Sequence, residues 1–427
     1  MPISPARIAA FEVLLRIERD RGYSSVLLPQ FESKLADKDR ALCHELVLGV
    51  LRKRYLLDRS ITQFAGAKKL DIEVLVSLRI GAYQLLFLDR IPDHSAVNDS
   101  VTLVQRAKKS SAKGFVNAIL RKIASNDRSL DLGEGIERVS VETSHPSWLL
   151  ERWSREFGEE RAFSIAAANN NAKRLAFRMT KRGLTNNVDP PVGSVPSSVV
   201  EGAYTADRLT PEIWDAADRG DLYFQDEASQ LVANLVSIPA SRRFLDVCAA
   251  PGGKTTLIAA RSDAMVIAGD LYPQRVEFLR ANAIRQGVSG VHVARYNAES
   301  GLPFADETFD AILLDAPCSG TGTIRSNPEI RYFLSPEDLH ALPFKQLRML
   351  ENASKLLTKG GRLYYSTCSL EREENEGVVE SFLTQGSGFS IDRSMGDPRF
   401  TTPAGFTRTF PDRDGTDGFF LTVLARG

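Results

Sequence analysis

Two cysteines stand in matching surroundings late in the 427-residue chain, Cys318 in Asp315-Ala-Pro-Cys-Ser-Gly-Thr-Gly322 and Cys368 in Tyr365-Ser-Thr-Cys-Ser-Leu370. Each follows a short apolar run, Phe309-Asp-Ala-Ile-Leu-Leu-Asp315 and Gly361-Arg-Leu-Tyr-Tyr365, and precedes turn formers. That pattern fits strands covered on both faces in a parallel sheet. Ligand crevices of open α/β sheets lie beyond the carboxyl ends of the strands, so the two thiols could face one substrate. Covalent catalysis, plain burial and a disulfide are the open readings of such a pair. The four cysteines are irregularly spaced, and Met1-Pro-Ile-Ser-Pro-Ala-Arg7 lacks the basic and apolar blocks of a secretory leader. The expected location is therefore the cytoplasm, where thiols stay reduced and a structural disulfide is disfavoured.

A second segment has the composition of a ligand loop. Asp246-Val-Cys-Ala-Ala-Pro-Gly-Gly-Lys-Thr255 follows one expected strand and opens a helical run at Thr256. Small residues and glycines there let a ligand approach the backbone at a helix N-terminus. A nucleotide phosphate is one candidate, because Cys248-Ala-Ala-Pro-Gly-Gly-Lys-Thr255 misses the phosphate-loop pattern by only its first glycine. Pro251 removes a backbone donor from such a cradle. Asp270, at the end of the next strand, is placed to accept hydrogen bonds from ribose hydroxyls. Together these favour a nucleoside cofactor, S-adenosylmethionine, over a nucleoside triphosphate. Cys43, inside an apolar helical run, reads as core, and Cys248 as packed within the loop. The histidines at 44, 94, 145, 292 and 340 are scattered without ligand spacing, so no metal is expected.

The elements that must position these residues fall into three expected parts. Residues 1–138 read as an all-α bundle: apolar positions such as Ile8, Phe11 and Leu15 recur at helical spacing. The same period runs through 39–57, 71–88, 95–109 and 113–123, with Asp39, Asp71 and Ser95 as N-caps. Residues 139–218 read as a small α+β module, entered by the amphipathic run from His145 and interrupted by the turn-rich stretch Thr185-Asn-Asn-Val-Asp-Pro-Pro-Val-Gly-Ser-Val-Pro196. Residues 219–427 alternate strands at 242–247, 265–270, 290–295, 309–315 and 361–366 with helices, as a doubly wound sheet requires. The run Asp417-Gly-Phe-Phe-Leu-Thr-Val-Leu-Ala-Arg426 adds a final antiparallel strand, reached through a turn at Asp412-Arg-Asp-Gly415. The fold class is α/β, a Rossmann-like, mostly parallel sheet preceded by helices.

The chain is electrically neutral, with 54 Lys and Arg against 54 Asp and Glu, yet the charge is unevenly spread. The first 130 residues hold 22 basic against 14 acidic side chains, and the remainder 32 against 40. The basic surplus includes Arg52-Lys-Arg54, Lys68-Lys69, Arg106-Ala-Lys-Lys109, Lys113 and Arg121-Lys122, which suits a polyanion such as RNA or, equally, solvated helix faces. No stretch approaches the length of a membrane span.

The combined motifs resemble the RNA (cytosine-5) methyltransferases of the NOL1/NOP2/Sun family, through Asp246-Val-Cys-Ala-Ala-Pro-Gly-Gly-Lys254, Asp315-Ala-Pro-Cys-Ser-Gly-Thr-Gly322, Asn327-Pro328 and Ser366-Thr-Cys-Ser369. The full layout is similar to the family's bacterial members acting on small-subunit (16S) ribosomal RNA. The front segment resembles the RNA-binding NusB family at Leu78-Arg-Ile-Gly-Ala-Tyr-Gln-Leu-Leu-Phe87, Ile91-Pro-Asp-His-Ser-Ala-Val-Asn98 and Gly114-Phe-Val-Asn-Ala-Ile-Leu-Arg121. The resemblance implies that Cys368 is the nucleophile attacking cytosine C6, that Cys318 assists product release, and that Asp315 contacts N3 and the exocyclic amine. It implies cofactor contacts from Cys248, Ala249, Ala250, Pro251, Gly252, Gly253, Lys254, Asp270 and Asp315. Asn297 stands where the family commonly has an acid near adenine and ribose, with Glu299 as the alternative. Lys254, Arg325, Asn327 and Arg331 are the expected RNA contacts. The expected partner is small-subunit ribosomal RNA, free or incompletely assembled, and the expected state is a monomer. A non-catalytic RNA-binding assembly or antitermination factor and an NTPase are the competing functions.

Overall fold

The structure is a computed structural model describing residues 3–66, 69–125, 130–239, 242–386 and 388–427; Lys68 of the basic surplus and the first two residues of the N-terminal stretch lie outside them. The chain forms two compact units, one of residues 1–171 with 324–333, the other of 172–323 with 334–427. The expected middle module is thereby divided, its residues up to 171 falling in the first unit and its strands, with helices Lys181–Thr185 and Pro211–Arg219, in the second.

The first unit is helical. Helices Pro5–Asp20, Asp37–Arg52, Arg54–Ala65, Ile72–Phe87, Asp93–Arg106 and Lys113–Ala124 bury Phe11, Ile17, Cys43, Leu46, Leu51, Ile80, Leu103 and Leu120 in one core. Cys43 is fully buried there, and burial pushes its thiol up to about 12. The run read as one helix over 39–57 is two, because the backbone turns at Lys53 (φ −113°, ψ 15°). Asp71 sits at its N-cap position, but Asp39 and Ser95 lie inside first turns whose N-caps are Ala36 and Pro92. Helices Gly135–Thr143, Ser147–Phe157 and Glu159–Ala168 complete the consecutive part. Segment 324–333 is held by buried polar contacts: Ser24 N and Oγ donate to the Glu329 carboxylate at 2.6 and 2.9 Å, and Tyr332 Oη donates to the Leu51 carbonyl at 2.5 Å.

The second unit contains two sheets. The smaller is antiparallel, β1 (Leu175–Met179), β2 (Val195–Pro196), β3 (Ala203–Ala206) and β4 (Leu222–Phe224), in the order β2-β3-β1-β4. The larger comprises β5 (Arg243–Asp246), β6 (Met265–Asp270), β7 (Val291–Arg295), β8 (Phe309–Asp315), β9 (Leu357–Thr367), β10 (Phe389–Ile391), β11 (Phe406–Thr409) and β12 (Phe419–Arg426). Its order is β10-β12-β9-β8-β5-β6-β7, with β11 also on β12. Strands β5 to β9 pair in parallel, and β12 runs antiparallel to β9 with Phe420 opposite Thr367. The expected turn before the last strand is a short helix, Pro411–Asp414, closed by Gly415 at φ +70°.

Alternate residues of the parallel strands bury on opposite faces, as a pleated strand requires. Phe244, Leu313 and Tyr364 join Val232 and Ile258 on one side; Leu245, Ile312, Leu314 and Tyr365 join Leu350, Val379 and Phe382 on the other. Each such side chain contributes about 1.5–3 kcal/mol by leaving water, and this double cover is why the strands read as continuous apolar runs. The chain returns from β7 at one edge to β8 beside β5, so the strand order reverses between β5 and β8. That reversal opens a crevice beyond Asp246 and Asp315. No helix among the described residues is long and apolar enough to cross a membrane.

Candidate active site

Loop 247–252 is shaped by its backbone bonds to the flanking strands. Val247 N donates to the Leu313 carbonyl at 2.9 Å and Ala249 N to the Gly269 carbonyl at 2.8 Å. Arg275 Nη2 and Asn282 Nδ2 hold the carbonyls of Ala250 and Pro251 at 2.9 and 2.8 Å. Gly252 caps helix Gly253–Ala260 at φ +102°, a conformation that disfavours side chains, and a Cβ there would stand 2.6 Å from Leu279 Cδ1.

A cavity of about 190 Å³ opens over this loop. Cys248, Ala249, Ala250, Pro251, Gly253, Lys254 and Asp315 line it, as does Asp246. Tyr223, Phe224, Gln225 and Ser229 complete the lining. These four come from β4 and the segment behind it, and motif reading missed them because nothing in their types marks a ligand wall. Gly252, Asp270 and Asn297 are not part of the lining. Asp270 is buried at the end of β6, 3.7 Å from Arg275, while Asn297 is exposed and accepts Glu299 N at 3.0 Å. Glu299 pairs with Arg348 at 2.9 Å.

Asp246 is buried, and its Oδ2 accepts Thr255 Oγ1 at 2.6 Å while Oδ1 has no hydrogen-bond partner among the described residues. Burial pushes its pKa up to about 7; the Thr255 hydroxyl opposes the shift and the charge of Asp315 adds to it. Burial also raises the Cys248 thiol, with the neighbouring carboxylates adding to the effect. An unsatisfied carboxyl oxygen facing a cavity beside a glycine-lined helix N-terminus fits a ligand that brings a cation or donors.

Asp315 connects this cavity to the cysteines. Its Oδ2 accepts Lys254 Nζ at 2.7 Å and its Oδ1 accepts Ser366 Oγ at 2.6 Å, two residues before Cys368. Lys254 also lies 4.8 Å over the Phe419 ring. Burial opposes the Lys254 charge, but Asp315 more than offsets this and holds its pKa above the usual value. The four cysteines are free thiols, and Cys318 Sγ stands 3.2 Å from Cys368 Sγ. The sulfur-to-sulfur hydrogen bond, then burial and nearby negative charges, hold the Cys318 thiol well above its ordinary range. Gly322, at the end of the Cys318 loop, joins it to the Cys368 loop, its N–H donating to the Cys368 carbonyl at 3.0 Å.

The structure therefore brings Cys318, Cys368, Asp315, Lys254 and the 248–253 loop together in the second unit. Arg325, Asn327 and Arg331 belong to the first unit, and their side chains are turned inward. Arg331, expected at the RNA, is fully buried, donating to the Thr143 carbonyl at 2.7 Å and Asn170 Oδ1 at 3.0 Å. Arg325 is nearly buried and donates to the Asn171 carbonyl at 3.3 Å, and the Asn327 Oδ1 is buried. Both guanidinium groups donate to oxygens of the first unit. Among the described residues no group of three His, Cys, Asp or Glu is placed to hold a metal.

A doubly wound sheet with a glycine-lined cavity at its strand reversal defines a Rossmann-like α/β protein with a ligand site at the switch point. Residues 235–425 match the 16S rRNA methyltransferase RsmB/F family and residues 4–125 the NusB family. The chain is 32% identical to the probable ribosomal RNA small subunit methyltransferase B of Bacillus subtilis, over all of both chains. It is 31% identical to the ribosomal RNA small subunit methyltransferase B of Pseudomonas putida, over 98% of each. A crystal structure of a methyltransferase homolog from Pyrococcus horikoshii aligns with 69% of this chain and all of its own, at 27% identity and a TM-score of 0.57. The chain belongs to the ribosomal RNA small subunit methyltransferase B family, and its cofactor is S-adenosylmethionine.

Proposed function

We propose that the protein transfers a methyl group from S-adenosylmethionine to carbon 5 of a cytosine in small-subunit (16S) ribosomal RNA, with Cys368 as nucleophile. The observation that carries this reading is the pair of free thiols 3.2 Å apart, linked through Ser366 to an Asp315–Lys254 pair on the cofactor cavity wall.

Carbon 5 of cytosine is a poor nucleophile until a thiolate adds at C6 and turns the ring into an enamine. Cys368 forms the C6–S bond, and Asp315, steadied by Lys254 and Ser366, contacts N3 and the exocyclic amine as charge moves into the ring. The cofactor, when bound, supplies an electrophilic methyl group. Cys318 then assists loss of the C5 proton, so that the electrons of the C5–H bond restore the double bond and expel the Cys368 thiolate. Residues 248–254, with Asp246 and the wall from Tyr223 to Ser229, would hold the cofactor, whose methionine ammonium suits the unpartnered Asp246 oxygen. Asp270 and Asn297 remain candidates for the ribose and adenine. The target base must leave its stack, which is least costly in a loop or an incompletely folded RNA, and the protein would meet that RNA as a cytoplasmic monomer.

Bisulfite sequencing of ribosomal RNA from cells with and without this protein tests the reading. One 16S cytosine should lose its protection when the protein is absent. Unchanged protection, with no S-adenosylmethionine binding by calorimetry, would favour the non-catalytic RNA-binding alternative.

A further inference from the structure

Glu374 is fully buried just beyond β9, and its carboxylate gathers four donors from three separate places in the chain. Oε1 accepts Ser319 N at 2.8 Å and Gln346 Nε2 at 2.9 Å. Oε2 accepts Ser369 Oγ at 2.5 Å and also the Ser319 hydroxyl. Ser319 follows Cys318 and Ser369 follows Cys368, so one side chain joins the two thiol-bearing loops one residue from each sulfur. The two hydroxyl oxygens lie 3.0 Å apart. Gln346, from helix Pro336–Lys355, donates from the same nitrogen to the Pro317 carbonyl at 2.9 Å, bracing the Cys318 loop from behind. The Glu374 carbonyl in turn accepts Tyr365 Oη at 2.6 Å. Among the described residues Glu374 has no ion-pair partner; a buried carboxylate held only by neutral donors is costly to keep for packing alone.

We propose that Glu374 is a positioning residue for methyl transfer: through Ser319 and Ser369 it fixes the distance and direction between the Cys318 and Cys368 sulfurs. This rests on the two-cysteine reading. The negative charge of Glu374 adds to the Cys368 hydrogen bond and to burial in raising the Cys318 thiol. Because both oxygens are fully used, glutamine is a poor replacement: its amide nitrogen would face donors on one side. Aspartate keeps both acceptor oxygens but is one methylene short.

The test compares full-length wild type, E374Q, E374D and the S319A/S369A double variant on a 16S RNA transcript, with labelled S-adenosylmethionine as methyl donor. For E374Q, kcat should fall about 100-fold, the scale of a 1 Å misplacement, with KM for S-adenosylmethionine within about twofold. E374D should recover part of kcat. The double variant, which keeps Glu374 and removes only small hydroxyls, should fall in kcat with unchanged KM. Trapping on transcript containing 5-fluorocytidine should show slower formation of thiol-linked RNA in E374Q. An E374Q kcat within about twofold of wild type, or a double variant equal to wild type, would overturn the role of Glu374. If wild type itself gives no thiol-linked RNA, the two-cysteine reading fails instead, and this inference with it.

Discussion

Lys254 and Asp315 form a 2.7 Å ion pair at the junction of the cofactor cavity and the two thiols. Lys254 and Ser366 together fix the orientation of the part-buried Asp315 carboxylate. Lys254→Ala should lower kcat/KM for RNA about 100-fold, the usual scale for losing one preorganised electrostatic group. Steady-state methyl transfer measures it, and activity within about threefold of wild type would remove Lys254 from the chemistry.

Asp246 gives a pH signature. Its carboxyl is raised from 3.8 to about 7 in the fold, so between those values the folded chain holds a proton that the unfolded chain has released. Its contribution to stability is therefore fully present below about pH 4, declines as pH rises towards about 7, and is flat above. In Asp246→Asn that decline should be absent, so wild type should lose stability relative to the variant between pH 5 and pH 8. Urea unfolding at both values reads this; parallel changes would contradict the burial argument.

Arg331 separates packing from RNA contact. Arg331→Ala should destabilise the protein by about 1–3 kcal/mol, because buried acceptors lose their donor. The salt dependence of RNA binding should keep its slope, whereas a lost phosphate contact would reduce it by about one.

Gly322 packs the Cys318 loop closely against Gly418 and the Cys368 carbonyl. A Cβ there would stand 2.2 Å from the Gly418 carbonyl and 2.9 Å from that of Cys368. Gly322→Ala should lower kcat by about tenfold or more, consistent with misplacement of the nucleophile, and leave binding of S-adenosylmethionine unchanged by calorimetry.

The parallel strands were legible because burial on both faces gives them uninterrupted apolar runs; β6 and β8 match the expected ranges at both ends. The break at Lys53 was not, since neither glycine nor proline marks it. β10 and β11 are too short to announce themselves, and they gain their place by pairing with β12. Cys318, Cys368 and the 246–254 loop were legible from local motifs. Glu374 was not, because its meaning lies in Ser319 and Gln346, 55 and 28 residues away. The partners of Arg331, which the sequence offers as an RNA contact, were hidden for the same reason: its acceptors, Thr143 and Asn170, are more than 160 residues distant.

Denaturing gels of purified protein with 16S RNA test the unequal roles of the two cysteines most directly. Cys318→Ala should accumulate a covalent protein–RNA band, because the adduct forms and is not released. Cys368→Ala should give neither the band nor methylated RNA. Full methylation by Cys368→Ala would contradict the account.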